Sequence, residues 1–346
     1  MEYFDVIVAG AGLGGCGAAI AAAQKGAKVL LLEKQQAPGG SSLLSAGGMA
    51  FSGVEPQRLA GIDDGPQRLR EDLERMGRGF SEAHLVDTYV QEQAATFDWL
   101  RELGVRFTSV QTGSGNSVPR VVRTDTTQVF SVLLDALDRH GVVRRLGVAV
   151  ERLLFADGRV QGVRVAGEGV GREIRAGAVV LATGGFSRNA DLVRTFAPDM
   201  LRAIPVGGDG STGDGLRMAC ALGAGLRDMG FVRATFGSHP SARGAANLML
   251  HPIYKGAIIV NGQAQRFVDE SRPYKELGDA VLAQPGVLGW QVFDQTVMDQ
   301  ADPLAGTYDF QGALERGLLE QADHPPTAWE RWPSACAWTP PGCARR

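Results

Sequence analysis

The sequence predicts an α/β fold built on a parallel sheet that helices cover. Residues 4–9 are a short β-rich run ending in the glycine-rich stretch GAGLGG, and residues 17–25 are an alanine-rich helical stretch closed by Gly26. Residues 28–33, KVLLLE, then form a continuous apolar run that suits a strand buried on both faces. A β-turn-α-β unit of about thirty residues is a crossover between neighbouring parallel strands.

Further helices and strands follow the same periodicities. Predicted helices, with apolar residues three to four positions apart, cover residues 66–76, 81–103, 125–140 and 212–222. Predicted strands cover residues 142–154, 160–165 and 178–182, the last of them buried. Gly104 and Gly141 are expected to end two of the helices, and Asp157-Gly158 is expected to turn a hairpin.

Length, charge and composition limit the class of protein. At about 150 residues per domain, 346 residues hold about two domains. The 35 basic and 38 acidic residues are mixed along the chain without a lysine or arginine block, so nucleic acid and membrane surfaces are poor candidates as partners. The apolar run over residues 6–23 contains five glycines and lacks a basic leader, which argues against a signal peptide or a membrane span.

The cysteines argue against a disulfide scaffold. There are four of them, without CxxC spacing, so neither a secreted framework nor a structural zinc site is expected. A reducing, cytoplasmic location fits this pattern.

The GxGxxG motif over residues 10–15 lies between the first strand and the first helix. Gly10 permits the tight turn, Gly12 admits a pyrophosphate, and Gly15 allows close helix packing. The helix N-terminus would then face the phosphates with its free N–H groups. Glu33 ends the second strand, where its carboxylate can accept hydrogen bonds from ribose hydroxyls. The pattern indicates an adenine dinucleotide without distinguishing FAD from NAD, and a glycine-rich turn without a ligand is the alternative.

A second small-residue segment follows Lys34 as APGGSSLLSAGGMAFSG. It places Ser41, Ser42 and the pair Gly47-Gly48 where a bulky cofactor could lie against the backbone. The alternative is a flexible loop, because glycine and serine are also the residues of turns.

Seven segments together resemble the fumarate reductase and 3-ketosteroid dehydrogenase superfamily of flavoproteins. They lie in the family's order over residues 3–321: GAGLGG, LLLEK, APGGSS, SAGGM, LATGGF, TGDGLRMACALGA and IIVNGQAQRFVDES. The resemblance implies a Rossmann-like FAD-binding domain with a parallel sheet, interrupted by an inserted α+β capping domain that carries most catalytic groups. The expected divisions are residues 1–230 for the FAD-binding domain, 231–321 for an incomplete capping domain and 322–346 for an atypical, disordered tail.

The resemblance also implies the cofactor site. Gly14 and Glu33 would meet the pyrophosphate and the adenosine ribose, and Val150 would meet the adenine through its backbone. The full implied set is Gly10, Gly12, Gly14, Gly15, Glu33, Lys34, Gly40, Ser41, Ser42, Gly47, Gly48, Val150, Thr183, Gly184, Gly185 and Asp214. Succinate dehydrogenases of this superfamily attach FAD to a histidine in the GGSSLLSAGG segment. No histidine lies between Lys34 and Arg58, so non-covalent FAD is expected.

At the substrate side the sequence departs from the fumarate reductase branch, in which an arginine after the RFxxE motif delivers a proton. Tyr274 stands at that position, and Thr235 stands near the expected dicarboxylate-binding histidine. His239 and Arg272 lie close by, which leaves a shifted register open.

The segment ESRPY is instead similar to that of 3-ketosteroid dehydrogenases, whose tyrosine belongs to the catalytic pocket. Tyr274 and Arg272 are therefore the implied catalytic residues, with Arg272 or Lys275 stabilising a tyrosine anion. A packed tyrosine is the alternative.

The implied function is FAD-dependent dehydrogenation or reduction of a C–C bond next to a carbonyl. The implied partners are a small-molecule substrate and an electron acceptor or donor. The substrate would be either a steroid-like ketone or a dicarboxylate. Dicarboxylate reduction and a non-catalytic FAD-binding remnant are the alternatives.

Residues 322–346 do not follow the family pattern. They hold five of the 16 prolines, three of the five tryptophans and two of the four cysteines, without helical or strand periodicity. No GLYAAGE-like strand follows the cap, so the C-terminal part of the FAD domain is expected to be missing. Weak FAD retention is the expected consequence, because that part normally supplies a helix N-terminus to the flavin.

Overall fold

The computed structural model describes residues 2–113, 115–166, 171–240, 249–302 and 306–320. The strands are β1 Tyr3–Ala9, β2 Val29–Leu32, β3 Gly48–Ala50, β4 Val110–Gln111, β5 Val121–Arg123, β6 Val143–Arg145, β7 Ala149–Ala156, β8 Arg159–Ala166, β9 Arg172–Leu181, β10 Ile258–Val260 and β11 Trp290–Val292. The helices are α1 Leu13–Gln24, α2 Gly40–Leu43, α3 Glu55–Leu59, α4 Pro66–Gly77, α5 Ala83–Leu103, α6 Thr126–Arg139, α7 Ala190–Phe196, α8 Asp214–Cys220, α9 Tyr274–Leu282, α10 Gln295–Met298 and α11 Phe310–Glu315.

The chain divides into two compact units. The first unit comprises Met1–Phe196 with Gly207–Met229, and the second comprises Ala197–Val206 with Gly230–Arg346. The predicted division had placed residues 197–206 in the first domain. A capping role for the second unit stays a prediction, and the tail predicted over residues 322–346 lies outside the described residues.

A mixed six-stranded sheet forms the core of the first unit, in the order β6-β2-β1-β9-β8-β7. The first four strands are parallel to their neighbours, and β8 and β7 are antiparallel. Helices α1 and α6 pack against one face, as the crossover unit predicted, and all four residues of β2 are buried. The parallel α/β fold is therefore confirmed.

Several predicted elements differ in detail. Helix α1 begins at Leu13 rather than at residue 17, and α8 ends at Cys220 rather than at Leu222. The extended segment predicted over residues 142–154 is two strands, β6 and β7, at opposite edges of the sheet. The hairpin at Asp157-Gly158 is confirmed, with φ of 53° and 72° at these two residues.

The strand predicted over residues 178–182 was wrongly expected to be buried. In β9, Ala178 is exposed and the next three residues are half-buried. The reason is its pairing: β8 pairs only with β9 residues up to Arg175, whereas β1 continues to Leu181. Within the described chain, the second half of β9 therefore has a partner strand on one side only.

A buried cluster of charges ties α4 to the segment before β5. Arg120 is fully buried and binds Asp64 (Nη2–Oδ1, 2.9 Å) and Asp72 (Nη1–Oδ2, 2.6 Å). Burial raises the pKa of Asp72, but hydrogen bonds from Ser117 and Arg75 and the charge of Arg120 outweigh it, so the pKa falls to about 2. The sequence pattern had placed Leu69, Leu73 and Met76 on the packed face of this helix and had missed these carboxylates.

The second unit contains the antiparallel pair β10-β11 and two small apolar clusters. One cluster includes Ile253, Ile259 and Leu277, so it joins α9 to the β10 strand. No helix in the described residues is long and apolar enough to cross a membrane.

Candidate functional site

Two glycines of the GxGxxG turn are required by the protein's own packing. Gly10 has φ of +105°, and a Cβ there would lie 2.3 Å from the Ala182 carbonyl oxygen. A Cβ on Gly15 would lie 1.8 Å from the Gly10 carbonyl oxygen. Both separations are far inside van der Waals contact, so these residues let β1, α1 and the end of β9 meet.

The other two glycines of the turn are not crowded: Gly14 faces open space, and a Cβ on Gly12 would make only ordinary van der Waals contacts. A Cβ on Gly12 would come no closer than 3.6 Å to another atom, and one on Gly14 would have no neighbour within 4 Å. Because no described residue lies within 4 Å of that position at Gly14, a diphosphate could approach the main chain at the N-terminus of α1. The role of Gly10 in the turn and of Gly15 in helix packing agrees with this geometry, and contact of Gly12 and Gly14 with a pyrophosphate stays a prediction.

The carboxylate of Glu33 is directed at the turn. Its Oε2 accepts a hydrogen bond from the Ala11 amide at 2.8 Å, and its Oε1 accepts one from the Gln35 amide at 2.8 Å. Each oxygen keeps acceptor capacity, so the group can still bind ribose hydroxyls beside the phosphates.

The serine segment lies against the same turn. Gly39 donates its amide to the Ala11 carbonyl at 2.9 Å, just before Gly40 begins α2, and Leu13 donates its amide to Ser42 Oγ at 3.3 Å. The predicted residues of this segment and of the glycine turn are thereby brought together.

The same segment is joined to the loop that precedes α8. Ser41 Oγ accepts the amide of Gly208 at 2.9 Å and lies 3.2 Å from Ser211 Oγ. Neither partner was predicted, although the glycines of GGDGSTGDG are a local signal for a close backbone approach.

Lys34 and Asp214 form an ion pair that the sequence did not reveal. The ammonium Nζ lies 2.6 Å from Asp214 Oδ2 and 2.6 Å from Thr212 Oγ1. Burial raises the pKa of Asp214, but the bonds from Lys34 and Thr212 outweigh it and lower the pKa. Asp214 is therefore a carboxylate at neutral pH, fixed beside the segment that follows Glu33.

The ATGG turn completes this region. Thr183 Oγ1 accepts the amide of Gly215 at 3.2 Å, and the Gly185 carbonyl accepts the amide of Gly213 at 3.0 Å. Gly184 has φ of +73°, which favours glycine. Thr183 and Gly185 thus hold the start of α8.

The remaining predicted residues lie at the edges of the site. Gly47 has φ of +71°, and a Cβ there would be 1.9 Å from the Thr124 carbonyl oxygen, so only glycine allows this close backbone approach. Gly48 is the first residue of β3. Val150 lies in β7, where it pairs with Val165, and the Val148 amide bonds to the Glu33 carbonyl at 2.9 Å. The main chain leading to Val150 is therefore beside Glu33.

These residues fit FAD. The space at Gly14 could accept a diphosphate, and the Glu33 carboxylate lies at the turn, where it could bind a sugar hydroxyl. Ser42 contacts the same turn, and Ser41 and Thr183 contact the loop before α8 and its first turn. No cluster of three or more metal-ligating side chains is found in the part of the chain that the structure describes. Contact of each residue with FAD and non-covalent attachment stay predictions.

Tyr274, in the second unit, contacts a different cation from those expected. Arg272 binds Glu276 at 3.4 Å and Lys275 binds Asp279 at 2.5 Å, because each pair is one helical turn apart. The cation at Tyr274 is Arg233, whose guanidinium carbon lies 4.3 Å from the ring centroid. Arg233 is 41 positions away in sequence, so no local pattern could have paired it with Tyr274.

His251, in the second unit, has a structural contact. His251 Nε2 lies 3.1 Å from the Phe236 carbonyl oxygen, and its ring packs on Tyr254 at 5.4 Å. Burial lowers the pKa of His251 although this bond opposes it. The ring is therefore neutral at neutral pH and donates to the carbonyl.

Comparisons with known proteins identify the family of this chain. The family described as "FAD binding domain" matches residues 5–291. A probable fumarate reductase, Ifc3, of Shewanella frigidimarina is 31% identical over 91% of this chain and 54% of its own length. The chain thus spans about half the length of such relatives.

Two solved structures share the fold. The open form of a flavocytochrome c3 fumarate reductase has a TM-score of 0.77 at 31% identity, covering 88% of this chain and 55% of that one. A 3-ketosteroid-Δ4-(5α)-dehydrogenase from Rhodococcus jostii RHA1, in complex with 4-androstene-3,17-dione, has a TM-score of 0.73 at 25% identity, covering 86% and 68%. The predicted superfamily and FAD as the cofactor are confirmed.

Proposed function

Because the chain belongs to the FAD-binding-domain family, we propose that it is an FAD-dependent oxidoreductase acting on a C–C bond next to a carbonyl group. Tyr274 is the proposed proton-transfer group. The observation that supports this assignment is the contact between Tyr274, the first residue of α9, and Arg233. The Arg233 guanidinium carbon lies 4.3 Å from the centroid of the Tyr274 ring. Bound FAD supplies the hydride acceptor or donor.

The chemistry required of Tyr274 explains why the cation matters. In dehydrogenation a base removes the proton from the carbon α to the carbonyl as a hydride leaves the neighbouring carbon. A phenol with pKa near ~10 is a poor base at neutral pH unless a positive charge stabilises its anion. Arg233 is such a charge, in the position that Arg272 and Lys275 were expected to fill.

Reduction of a dicarboxylate is the second candidate. It is favoured by fumarate reductases among the relatives, one of them 33% identical over 86% of this chain. In that direction Tyr274 gives the proton instead of taking it.

Replacing Tyr274 by phenylalanine tests the proton transfer. With FAD added, we expect turnover to fall by about 100-fold or more, since a positioned acid or base contributes that much. The assay measures dye-linked oxidation of 4-androstene-3,17-dione and dye-driven reduction of fumarate. Tyr3→Phe, which changes an exposed tyrosine at the first position of β1, is the matched control and should keep full turnover.

Two outcomes contradict the proposal. Full turnover of Tyr274→Phe would exclude this phenol as the proton-transfer group. Absence of turnover by the unmodified chain with both substrate classes, while FAD is bound, would favour the non-catalytic remnant.

A further inference from the structure

We propose that residues 207–213, here called the strap, close over bound FAD and control its entry and release. The strap has the sequence GGDGSTG and leads directly into α8. Its role requires FAD as the cofactor but is independent of the reaction that is proposed for Tyr274.

The strap is held on one side by the segments that follow β2 and β1. Lys34, just after β2, donates from Nζ to Thr212 Oγ1 at 2.6 Å. Ser41, in α2, accepts the amide of Gly208 at its Oγ at 2.9 Å. Ser42 of the same helix accepts an amide of the glycine turn that follows β1. These contacts fasten the strap to the turn at which a diphosphate is expected.

On its other side the strap is held by the segment that follows β9. Arg188 donates from Nε to the Gly207 carbonyl at 2.8 Å, and its guanidinium lies 3.2 Å from a carboxylate oxygen of Asp209. Asn189 donates from its side-chain amide to the Thr212 carbonyl at 3.0 Å. The strap therefore joins the carboxyl ends of three neighbouring parallel strands, β2, β1 and β9.

The region that the strap spans is the one in which a dinucleotide is expected. In open α/β sheets, ligands bind in the crevice outside the carboxyl ends of the strands. FAD that contacts both the GxGxxG turn after β1 and the ATGG turn after β9, as the sequence predicts, has to cross this region. A strap that is fastened at both sides then obstructs both the arrival and the departure of the cofactor.

The composition of the strap allows it to open at a small cost in free energy. Its residues are glycines, an aspartate, a serine and a threonine, so it buries no large apolar side chain. Segments with few apolar contacts have the lowest free energies of local opening. The glycines also allow the closed position, because a Cβ on Gly208 would lie 2.7 Å from the Ser41 amide nitrogen. The strap thus closes tightly through hydrogen bonds and ion pairs, which water can replace.

A reversible cross-link between the strap and α2 tests this role. Ser41→Cys combined with Ser211→Cys places two thiols where the hydroxyl oxygens lie 3.2 Å apart, a separation that suits a disulfide. The full chain is loaded with FAD and treated with oxidised glutathione, and mass spectrometry verifies the cross-link. We expect FAD release to be at least about tenfold slower than after reduction with dithiothreitol, because the open state is no longer populated. Flavin fluorescence measures the rate.

The same cross-link, made before FAD is added, should slow FAD uptake by at least about tenfold. The oxidised and reduced forms carry identical substitutions, so their difference measures the cross-link alone. Ser41→Cys by itself, treated in the same way, is the matched control and should exchange FAD equally fast with and without dithiothreitol.

Lys34→Met removes one fastening of the strap. We expect it to make FAD uptake and FAD release both faster by about threefold or more, because the open state becomes more populated. A lost contact with FAD would speed release alone. Arg194→Met, which breaks an exposed pair in the same unit, should leave both rates unchanged.

Four results would overturn the role of the strap. They are equal exchange rates of the oxidised and reduced double variant, failure of the two cysteines to cross-link in the folded chain, faster release without faster uptake in Lys34→Met, and absence of FAD binding by the unmodified chain. None of these measurements uses turnover, so such a result leaves the proposal for Tyr274 to its own test.

Discussion

Replacing Gly15 by alanine is expected to abolish FAD binding and to destabilise the first unit by about 3 kcal/mol or more. The added Cβ would lie 1.8 Å from the Gly10 carbonyl oxygen, which belongs to the backbone and cannot move aside as a side chain can. Adding a group to a well-packed core costs about 1–3 kcal/mol when side chains can shift to accommodate it. A clash with the backbone of the turn is expected to cost more. Urea unfolding and titration with FAD measure the two effects.

Gly17→Ala is the matched control in the same helix. A Cβ on Gly17 meets no atom within 4 Å, so alanine should stabilise α1 by up to about 1 kcal/mol through its higher helix propensity. FAD binding should remain as in the unmodified chain. Gly15→Ala protein that binds FAD normally would show that the close contact between α1 and the turn is not needed.

Replacing Arg120 by methionine is expected to cost about 3–5 kcal/mol of unfolding free energy. The change removes the cation that Asp64 and Asp72 share, so that Asp64 stays buried without it while Asp72 keeps only Arg75, and an unpaired buried charge is strongly destabilising. Arg194→Met, which breaks an exposed pair with Asp191, should cost less than about 1 kcal/mol. If the two substitutions lowered the free energy of unfolding in urea equally, the result would contradict a stabilising role for the buried cluster.

The same cluster makes stability depend on pH in a defined window. The pKa of Asp72 is lowered from its usual 3.8 to about 2, so its stabilising contribution is present above about pH 4 and is lost as the pH falls towards 2. The loss should be about 2 kcal/mol, at 1.36 kcal/mol per pH unit. Arg120→Met should show a smaller loss over this range, because the cation that favours the ionised Asp72 is absent.

Local patterns were enough to predict the crossover unit and its turn. The strand, the glycines and Glu33 lie within about thirty residues, and their spacing directly reflects how a strand meets a helix. The structure accordingly has Glu33 accepting the Ala11 amide and leaves space beside Gly14.

Contacts between distant segments were not predictable in this way. Lys34 meets Asp214 across 180 positions, and Arg233 meets Tyr274 across 41. Charge alone did not identify partners either: Arg272 and Lys275 lie next to Tyr274 in sequence, but helical geometry directs them to Glu276 and Asp279. Apolar periodicity also did not predict the burial of Asp72. In sequence, a carboxylate that is buried in an ion pair cannot be told from an exposed one.

The burial of β9 could not be predicted from its apolar run. Residues 178–182 have the composition of a strand covered on both sides, yet burial depends on which neighbours are present. Beyond Arg175 the described residues supply β1 alone.

Comparing the affinities of FAD and FMN tests the central claim most directly, because FMN lacks the adenosine monophosphate half that the GxGxxG turn and Glu33 are expected to hold. Quenching of flavin fluorescence by the purified chain should give saturable FAD binding and FMN binding at least about tenfold weaker. Glu33→Gln should weaken FAD binding by about tenfold while leaving FMN binding unchanged. Equal affinity for FAD and FMN, with no effect of Glu33→Gln, would contradict the assignment of this turn to a dinucleotide.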